Sequence, residues 1–125
     1  MKKILVVEDN EDNLYLVSYF LRKSGYEVVE ARSGEDGIAA ALTTMPDAIL
    51  MDIHLPGIDG LDAAKKIKES ESGCMIPIIA LTSQVMPGDR ERAFKSGCSG
   101  YIEKPINIEV FMSEITRHLK INGVD

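Results

Sequence analysis

Short apolar runs alternate with amphipathic, helix-forming segments along this chain, and that alternation restricts the fold to few classes. Five runs have the length of strands, and they cover residues 3–7, 27–31, 47–52, 77–82 and 100–103. Between and after them, apolar residues recur every three to four positions, as on one buried face of a helix. Strands that alternate with helices form a parallel sheet covered on both faces. The sequence therefore predicts an α/β fold with a five-stranded parallel sheet.

The predicted helices carry start and stop signals. They are expected over residues 11–24, from Ser33 to about 44, from 60 to about 70, from Pro87 to Gly97, and from Asn107 onward. Ser33 and Asn107 are residue types that cap helix N-termini, Pro87 suits a first helical turn, and Gly97 suits an end. The first helix is predicted to bury Leu14, Val17, Phe20 and Leu21 on one face.

Length and charge limit the class of protein. A chain of 125 residues with 45% apolar and 27% charged residues fits one domain, residues 1–125, with no output domain. The net charge of -6 argues against direct binding to nucleic acid or a membrane surface, because both are negatively charged. No apolar stretch reaches the roughly 18 residues of a membrane span. A cytoplasmic protein is expected.

Polar residues follow four of the five strands at the point where each run ends. Glu8 and Asp9 follow the first strand, Asp52 ends the third, Thr82 ends the fourth, and Lys104 follows the fifth. The carboxyl ends of parallel strands lie along one edge of the sheet, and ligands of such sheets bind beyond that edge. We therefore expect these side chains to form one site.

The residue types at this edge suit phosphoryl chemistry. Glu8, Asp9 and Asp52 would repel one another unless a cation lay between them. Oxygen ligands without His or Cys side chains favour Mg²⁺ over Zn²⁺. Lys104 and Thr82 would then hold the oxygens of a phosphoryl group while a carboxylate attacks phosphorus, which gives an aspartyl phosphate.

Each of these residues also has a structural interpretation when it is taken alone. An acidic pair suits the N-terminus of the following helix, and Asp52 before a Pro-Gly loop is a common turn former. Thr82 is a helix-capping type, Lys104 is most often a solvated side chain, and Tyr101 is an ordinary sheet residue. None of these interpretations explains why the polar residues share one edge.

Four motifs in this order resemble the receiver domains of two-component response regulators. They are ILVVEDN at 4–10, DIHLPGIDG at 52–60, ALTS at 80–83 and YIEKP at 101–105. The resemblance covers residues 3–120, nearly the whole chain. It implies the flavodoxin-like (βα)5 fold with strand order 2-1-3-4-5.

The resemblance also implies a role for each residue of the site. Asp52 would accept a phosphoryl group from a histidine kinase or a histidine phosphotransfer protein. Glu8, Asp9 and Asp52 would bind Mg²⁺ together with the backbone carbonyl of His54. Lys104 would contact the phosphoryl group.

Two further residues would transmit the change. Thr82 would move toward the new phosphate and Tyr101 would pack inward behind it, which is a local electrostatic event that biases a two-state element. The surface of the fourth helix, fifth strand and fifth helix would then bind a partner protein. The resemblance implies a cis peptide bond between Lys104 and Pro105, and either a monomer or a dimer that forms on phosphorylation.

Three functions are compatible with these residues. The favoured one is a phosphorylation switch that acts through protein contacts and is not a turnover enzyme. The second is the receiver module of a hybrid sensor kinase, or a phosphorelay intermediate. The third is a phosphohydrolase that forms an aspartyl phosphate. Such enzymes usually need a second aspartate two residues after the nucleophile, and this chain has His54 there.

Overall fold

Strands and helices alternate along the chain as the sequence predicts. The computed structural model of the protein describes residues 2–82, 87–104 and 107–121. Within these residues the elements are β1 (Lys3–Val7), α1 (Glu11–Lys23), β2 (Glu27–Ala31), α2 (Gly34–Thr44), β3 (Ala48–Asp52), α3 (Gly60–Glu69), β4 (Ile78–Thr82), α4 (Asp89–Lys95), β5 (Gly100–Glu103) and α5 (Ile108–Ile121).

The strands form one parallel sheet in the order β2-β1-β3-β4-β5, which confirms the flavodoxin-like fold. In the register of the sheet, Leu5 of β1 lies opposite Val29 of β2 on one side and Ile49 of β3 on the other. The order reverses between β1 and β3, because the chain first moves to one edge of the sheet and then to the other. This reversal opens a crevice at the carboxyl ends of β1 and β3.

Helices cover both faces of the sheet, and alternate strand residues pack against different helices. Leu5, Ile49 and Ile78 belong to the core cluster on the side of α2, α3 and α4. Ile4 and Leu50 belong to the cluster on the side of α1 and α5. All five residues of β3 and all five of β4 are buried, which explains why both runs are almost continuously apolar.

The helix signals are confirmed in part. The Ser33 hydroxyl accepts a hydrogen bond from the Asp36 amide at 3.1 Å, and the Asn107 side chain accepts one from the Val110 amide at 3.2 Å. The predicted start of the fourth helix at Pro87 is wrong. Gly88 has a left-handed backbone with φ of 85°, so the helix begins after it.

The predicted buried face of the first helix is wrong at one position. Leu14, Val17, Ser18 and Leu21 of α1 are buried, which is the regular spacing of one helical face. Phe20 is only partly buried and packs edge-on against Tyr19, with 5.4 Å between ring centroids. Ser18, and not Phe20, therefore completes the buried face of α1.

Across the part of the chain that the structure describes, every helix is too short or too polar to cross a membrane.

Candidate functional site

The sheet brings the polar strand ends together. Glu8 directly follows β1, Asp52 and Thr82 are the last residues of β3 and β4, and Lys104 directly follows β5. The register explains their proximity, because Asp52 lies opposite Leu81, one residue before Thr82. The Lys104 amide donates a hydrogen bond to the Thr82 carbonyl at 2.6 Å. Four of the predicted site residues therefore lie along one edge.

Lys104 links two of the carboxylates. Its Nζ donates to Glu8 Oε1 and lies 3.4 Å from Asp52 Oδ2. The side chains of Lys104, Glu8 and Asp52 are only 9%, 1% and 6% exposed. Because water is largely excluded, these charges interact more strongly than they would on the surface.

Backbone amides fix the remaining carboxylate oxygens. Asp52 Oδ1 accepts a hydrogen bond from the His54 amide at 2.9 Å, and Glu8 Oε2 accepts one from the Asn10 amide at 3.2 Å. Asp52 is thus held by an amide on one oxygen and by a lysine on the other. Both oxygens of the Asp52 carboxylate therefore have a donor, which fixes the orientation of the side chain.

The three acidic residues fit a divalent cation. Glu8, Asp9 and Asp52 each place one carboxylate oxygen within 4.8 Å of the other two. Burial and the adjacent Asp52 carboxylate raise the pKa of Glu8 to about 7, although Lys104 acts in the opposite direction. A lysine alone therefore does not balance the negative charge, and oxygen donors of this kind are those that Mg²⁺ prefers. The three predicted carboxylate ligands therefore lie close enough together to share one ion.

The His54 side chain is a contact that the sequence analysis missed. Its ring Nε2 lies 3.1 Å from the Thr82 hydroxyl oxygen. Thr82 is fully buried, whereas His54 is exposed. The sequence analysis named His54 as a metal ligand through its backbone carbonyl, and no spacing rule in the chain points to a side-chain contact across 28 positions.

Gly60 is a second residue whose role was missed. A Cβ atom added to Gly60 would lie 2.0 Å from the carbonyl oxygen of Asp52 and 2.6 Å from the Cα of Ile53. The Gly60 amide also donates to the Ile53 carbonyl at 3.3 Å. The start of α3 thus packs directly on the backbone of the acidic loop. The sequence signal that could have indicated this close packing is the glycine that ends the 52–60 motif.

Tyr101 lies on β5 with its hydroxyl buried. Burial, followed by the charges of Asp89 and Glu103, raises the pKa of this phenol. The predicted inward packing of the ring would therefore start from a hydroxyl that is already shielded from water. The predicted cis bond between Lys104 and Pro105 involves a residue outside those described.

Sequence comparisons agree with the geometry. The profile of the family described as response regulator receiver domain matches residues 4–116. The polar-differentiation response regulator DivK of Brucella ovis is 42% identical over 118 residues, which is 94% of this chain and 96% of that protein.

Solved structures give the same match. The receiver domain of the sensor histidine kinase PA1611 from Pseudomonas aeruginosa PAO1 is 36% identical with a TM-score of 0.84, covering 98% of both chains. That structure is described as having a magnesium ion coordinated in its active-site cleft. A CheY-like receiver domain protein from Methanospirillum hungatei JF-1 superimposes with a TM-score of 0.93 at 25% identity, over 98% of this chain and 97% of that one.

Proposed function

Because the chain belongs to the response regulator receiver domain family, we propose that it is a phosphorylation-dependent signalling switch with Asp52 as phosphoacceptor. The observation that carries this proposal is the setting of Asp52. Its carboxylate is held by the His54 amide and Lys104 and lies beside two further acidic residues. The family consists of signalling domains and not of turnover enzymes, so the phosphohydrolase alternative is dropped.

The proposed reaction is the transfer of a phosphoryl group from a phosphohistidine of a histidine kinase or a phosphotransfer protein. A carboxylate oxygen of Asp52 attacks phosphorus, an O–P bond forms, and the P–N bond to the donor's imidazole breaks. Lys104, whose Nζ is 3.4 Å from Asp52 Oδ2, would contact a phosphoryl oxygen.

Four residues would hold Mg²⁺ in this proposal, namely Glu8, Asp9, Asp52 and the carbonyl of His54. When bound, the ion supplies positive charge that offsets the negative charge of the incoming phosphoryl group. The convergence of the three carboxylates within 4.8 Å supports this assignment.

The signal would leave the site through Thr82 and Tyr101. Phosphorylation of Asp52 adds negative charge and acceptor oxygens, which attract a hydroxyl donor on the neighbouring strand. Exposed apolar side chains on the face formed by α4, β5 and α5, namely Phe94 and Val110, support this face as the partner-binding surface. A cavity of about 280 Å³ lies beside Tyr101 and Val110 on the same face.

The proposal treats residues 1–125 as one receiver domain that acts through protein contacts, as a monomer or as a dimer that forms on phosphorylation. The alternative is a receiver module of a hybrid sensor kinase or a phosphorelay intermediate. The 36% identity to the receiver of a sensor histidine kinase supports this alternative. An immunoblot for the size of the natural protein in its cells separates the two.

Intact-mass measurement tests the chemistry. The purified protein is incubated with Mg²⁺ and acetyl phosphate, and we expect the mass to rise by one phosphoryl group. The gain should vanish in Asp52→Asn and after chelation of the metal. Asp62→Asn, which alters an exposed acid in the first turn of α3, is the matched control and should still be phosphorylated. Phosphorylation of Asp52→Asn at the native rate would refute the assignment.

A further inference from the structure

His54 contacts both the proposed phosphoacceptor and the proposed switch residue. Its backbone amide donates to Asp52 Oδ1 at 2.9 Å, and its ring Nε2 lies 3.1 Å from the Thr82 hydroxyl oxygen. The two contacts come from different parts of the same residue. Its ring therefore joins the loop after β3 to the end of β4.

The parallel register brings the loop after β3 to the end of β4. Asp52 lies opposite Leu81, and the Ile53 amide donates to the Leu81 carbonyl at 3.0 Å. Because that hydrogen bond extends the pairing by one residue, Ile53 comes opposite Thr82, and His54 follows Ile53 in the loop after β3. The exposed ring then reaches over the end of β4 to a hydroxyl that is fully buried.

The contact constrains where the Thr82 hydroxyl lies. A threonine hydroxyl has one proton to donate, and a heavy-atom separation of 3.1 Å is within hydrogen-bond distance whichever group donates. A movement of the hydroxyl toward Asp52 that takes it about 1 Å farther from the ring would break this bond, because hydrogen bonds weaken steeply with distance and angle. The bond is present in the unphosphorylated structure.

We infer that His54 is a positioning residue whose ring restrains Thr82 in the unphosphorylated state and sets the threshold for switching. The inference rests on the proposed phosphorylation of Asp52. A contact that forms in only one of two states lowers the free energy of that state, and the equilibrium shifts toward it by the free energy of the contact. A protein hydrogen bond of typical net strength corresponds to a factor of about 2 to 12 in an equilibrium constant.

Beryllofluoride, a stable phosphoryl mimic, gives a direct measurement. Its dissociation constant in the presence of Mg²⁺ is followed by fluorine NMR. Removal of the ring's hydrogen bond in His54→Leu should tighten binding about 2- to 12-fold, because the restraint on Thr82 is lost. His54→Gln carries an amide at a similar reach and should restore the native affinity.

A double-mutant cycle shows whether His54 acts through Thr82. In a Thr82→Val background, which keeps the shape and removes the hydroxyl, His54→Leu should no longer change the affinity. In a Thr82→Ser background, which keeps the hydroxyl, the effect of His54→Leu should persist. Circular dichroism and thermal unfolding of each variant confirm that it is folded before its affinity is compared.

The outcomes separate this inference from the proposed function. Failure of the native protein to bind beryllofluoride or to accept a phosphoryl group would overturn both. If the native protein binds beryllofluoride and His54→Leu binds it no more tightly, the restraint by His54 is overturned and the proposed function stands. A tightening that persists in Thr82→Val would also overturn the restraint, because His54 would then act directly on the ligand.

Discussion

Two groups of charged side chains lie at the same end of the sheet and differ in burial. Glu8, Lys104 and Asp52 form an inner group in which no side chain is more than 9% exposed. Glu11, at the start of α1, and Arg32, directly after β2, form an outer pair at 2.5 Å with side chains 70% and 53% exposed. Both groups contain the residue types of an ordinary ion pair.

The difference in burial separates a surface feature from a functional one. The outer pair is charge-balanced and solvated, and such pairs contribute little to stability. The inner group has two carboxylates against one lysine, with Asp9 close by, so its charge is not balanced. Burial first, and then the neighbouring Asp52 carboxylate, raises the pKa of Glu8 to about 7, so ionisation of this carboxyl is unfavourable in the cluster. Folding does not require such a cluster, which is why its excess negative charge indicates a function.

The largest expected effect is the pH dependence of stability in the metal-free protein. The pKa of Glu8 is about 7 in the folded state against an ordinary value of 4.5, so the folded state retains a proton that the unfolded state loses. The stabilisation is fully present below about pH 4.5 and is lost as the pH rises to about 7. One pKa unit corresponds to about 1.4 kcal/mol, which gives a fall of about 3 kcal/mol in the free energy of unfolding.

Urea unfolding of the metal-free protein at several pH values measures this fall. Glu8→Gln cannot titrate at this position and is the reference, so the difference between the two curves isolates Glu8. If the free energy of unfolding changes with pH in the same way for the native protein and Glu8→Gln, ionisation of Glu8 in the folded state carries no unusual free-energy cost. Added Mg²⁺ should reduce the difference, because it favours the ionised carboxylate.

The next effect concerns the backbone that holds the inner group. Gly60→Ala would place a Cβ atom 2.0 Å from the Asp52 carbonyl oxygen, so either the acidic loop or α3 must shift. Overpacking of this kind typically costs about 1–3 kcal/mol. We expect lower stability in urea unfolding and weaker Mg²⁺ binding by isothermal titration calorimetry.

Gly25→Ala is the matched control for that substitution. An added Cβ at Gly25 meets nothing within 4 Å, so it reports only the strain of a positive φ. It should lower stability without changing Mg²⁺ affinity. Equal loss of Mg²⁺ affinity in both variants would show that Gly60 has no special link to the inner group.

Asp52→Asn should stabilise the metal-free protein. The substitution removes one of the buried carboxylates that oppose each other and keeps the size of the side chain, so we expect a gain of about 1–2 kcal/mol at pH 7 to 8. The stabilisation that added Mg²⁺ gives should shrink, because a ligand has been lost. Thermal unfolding with and without Mg²⁺ measures both changes, and Asp62→Asn should show neither. A destabilised Asp52→Asn protein would contradict the idea of excess negative charge.

The inner group was predictable because parallel strands impose it. Glu8, Asp9, Asp52, Thr82 and Lys104 were assigned to one edge from strand ends alone, and the sheet order brings them there. The resemblance to receiver domains supplied the strand order, since periodicity cannot distinguish one arrangement of parallel strands from another. Strand periodicity therefore predicts which residues meet at an edge and not how their side chains pair.

The missed contacts depend on geometry that no local pattern encodes. The bond between His54 and Thr82 needs the exact path of the loop after β3, and the close approach of Gly60 to Asp52 needs the angle at which α3 enters. Phe20 is a different case, because the spacing of Leu14, Val17 and Leu21 already selects position 18 over position 20, and the assignment followed residue type instead.

The smallest expected effect tests the outer pair. Arg32→Gln and Glu11→Gln each remove one partner of a solvated pair, and the partner that remains is hydrated by water, so neither should change the melting temperature beyond experimental error. Any residual difference from the native protein should disappear at high salt, where exposed charges are screened. The same two variants should bind Mg²⁺ with native affinity, because Glu11 and Arg32 satisfy each other rather than the inner carboxylates. Mg²⁺ affinity is measured beside that of Glu8→Gln. A loss of affinity in either variant would show that the outer pair belongs to the site, and that burial does not distinguish site residues from surface ion pairs.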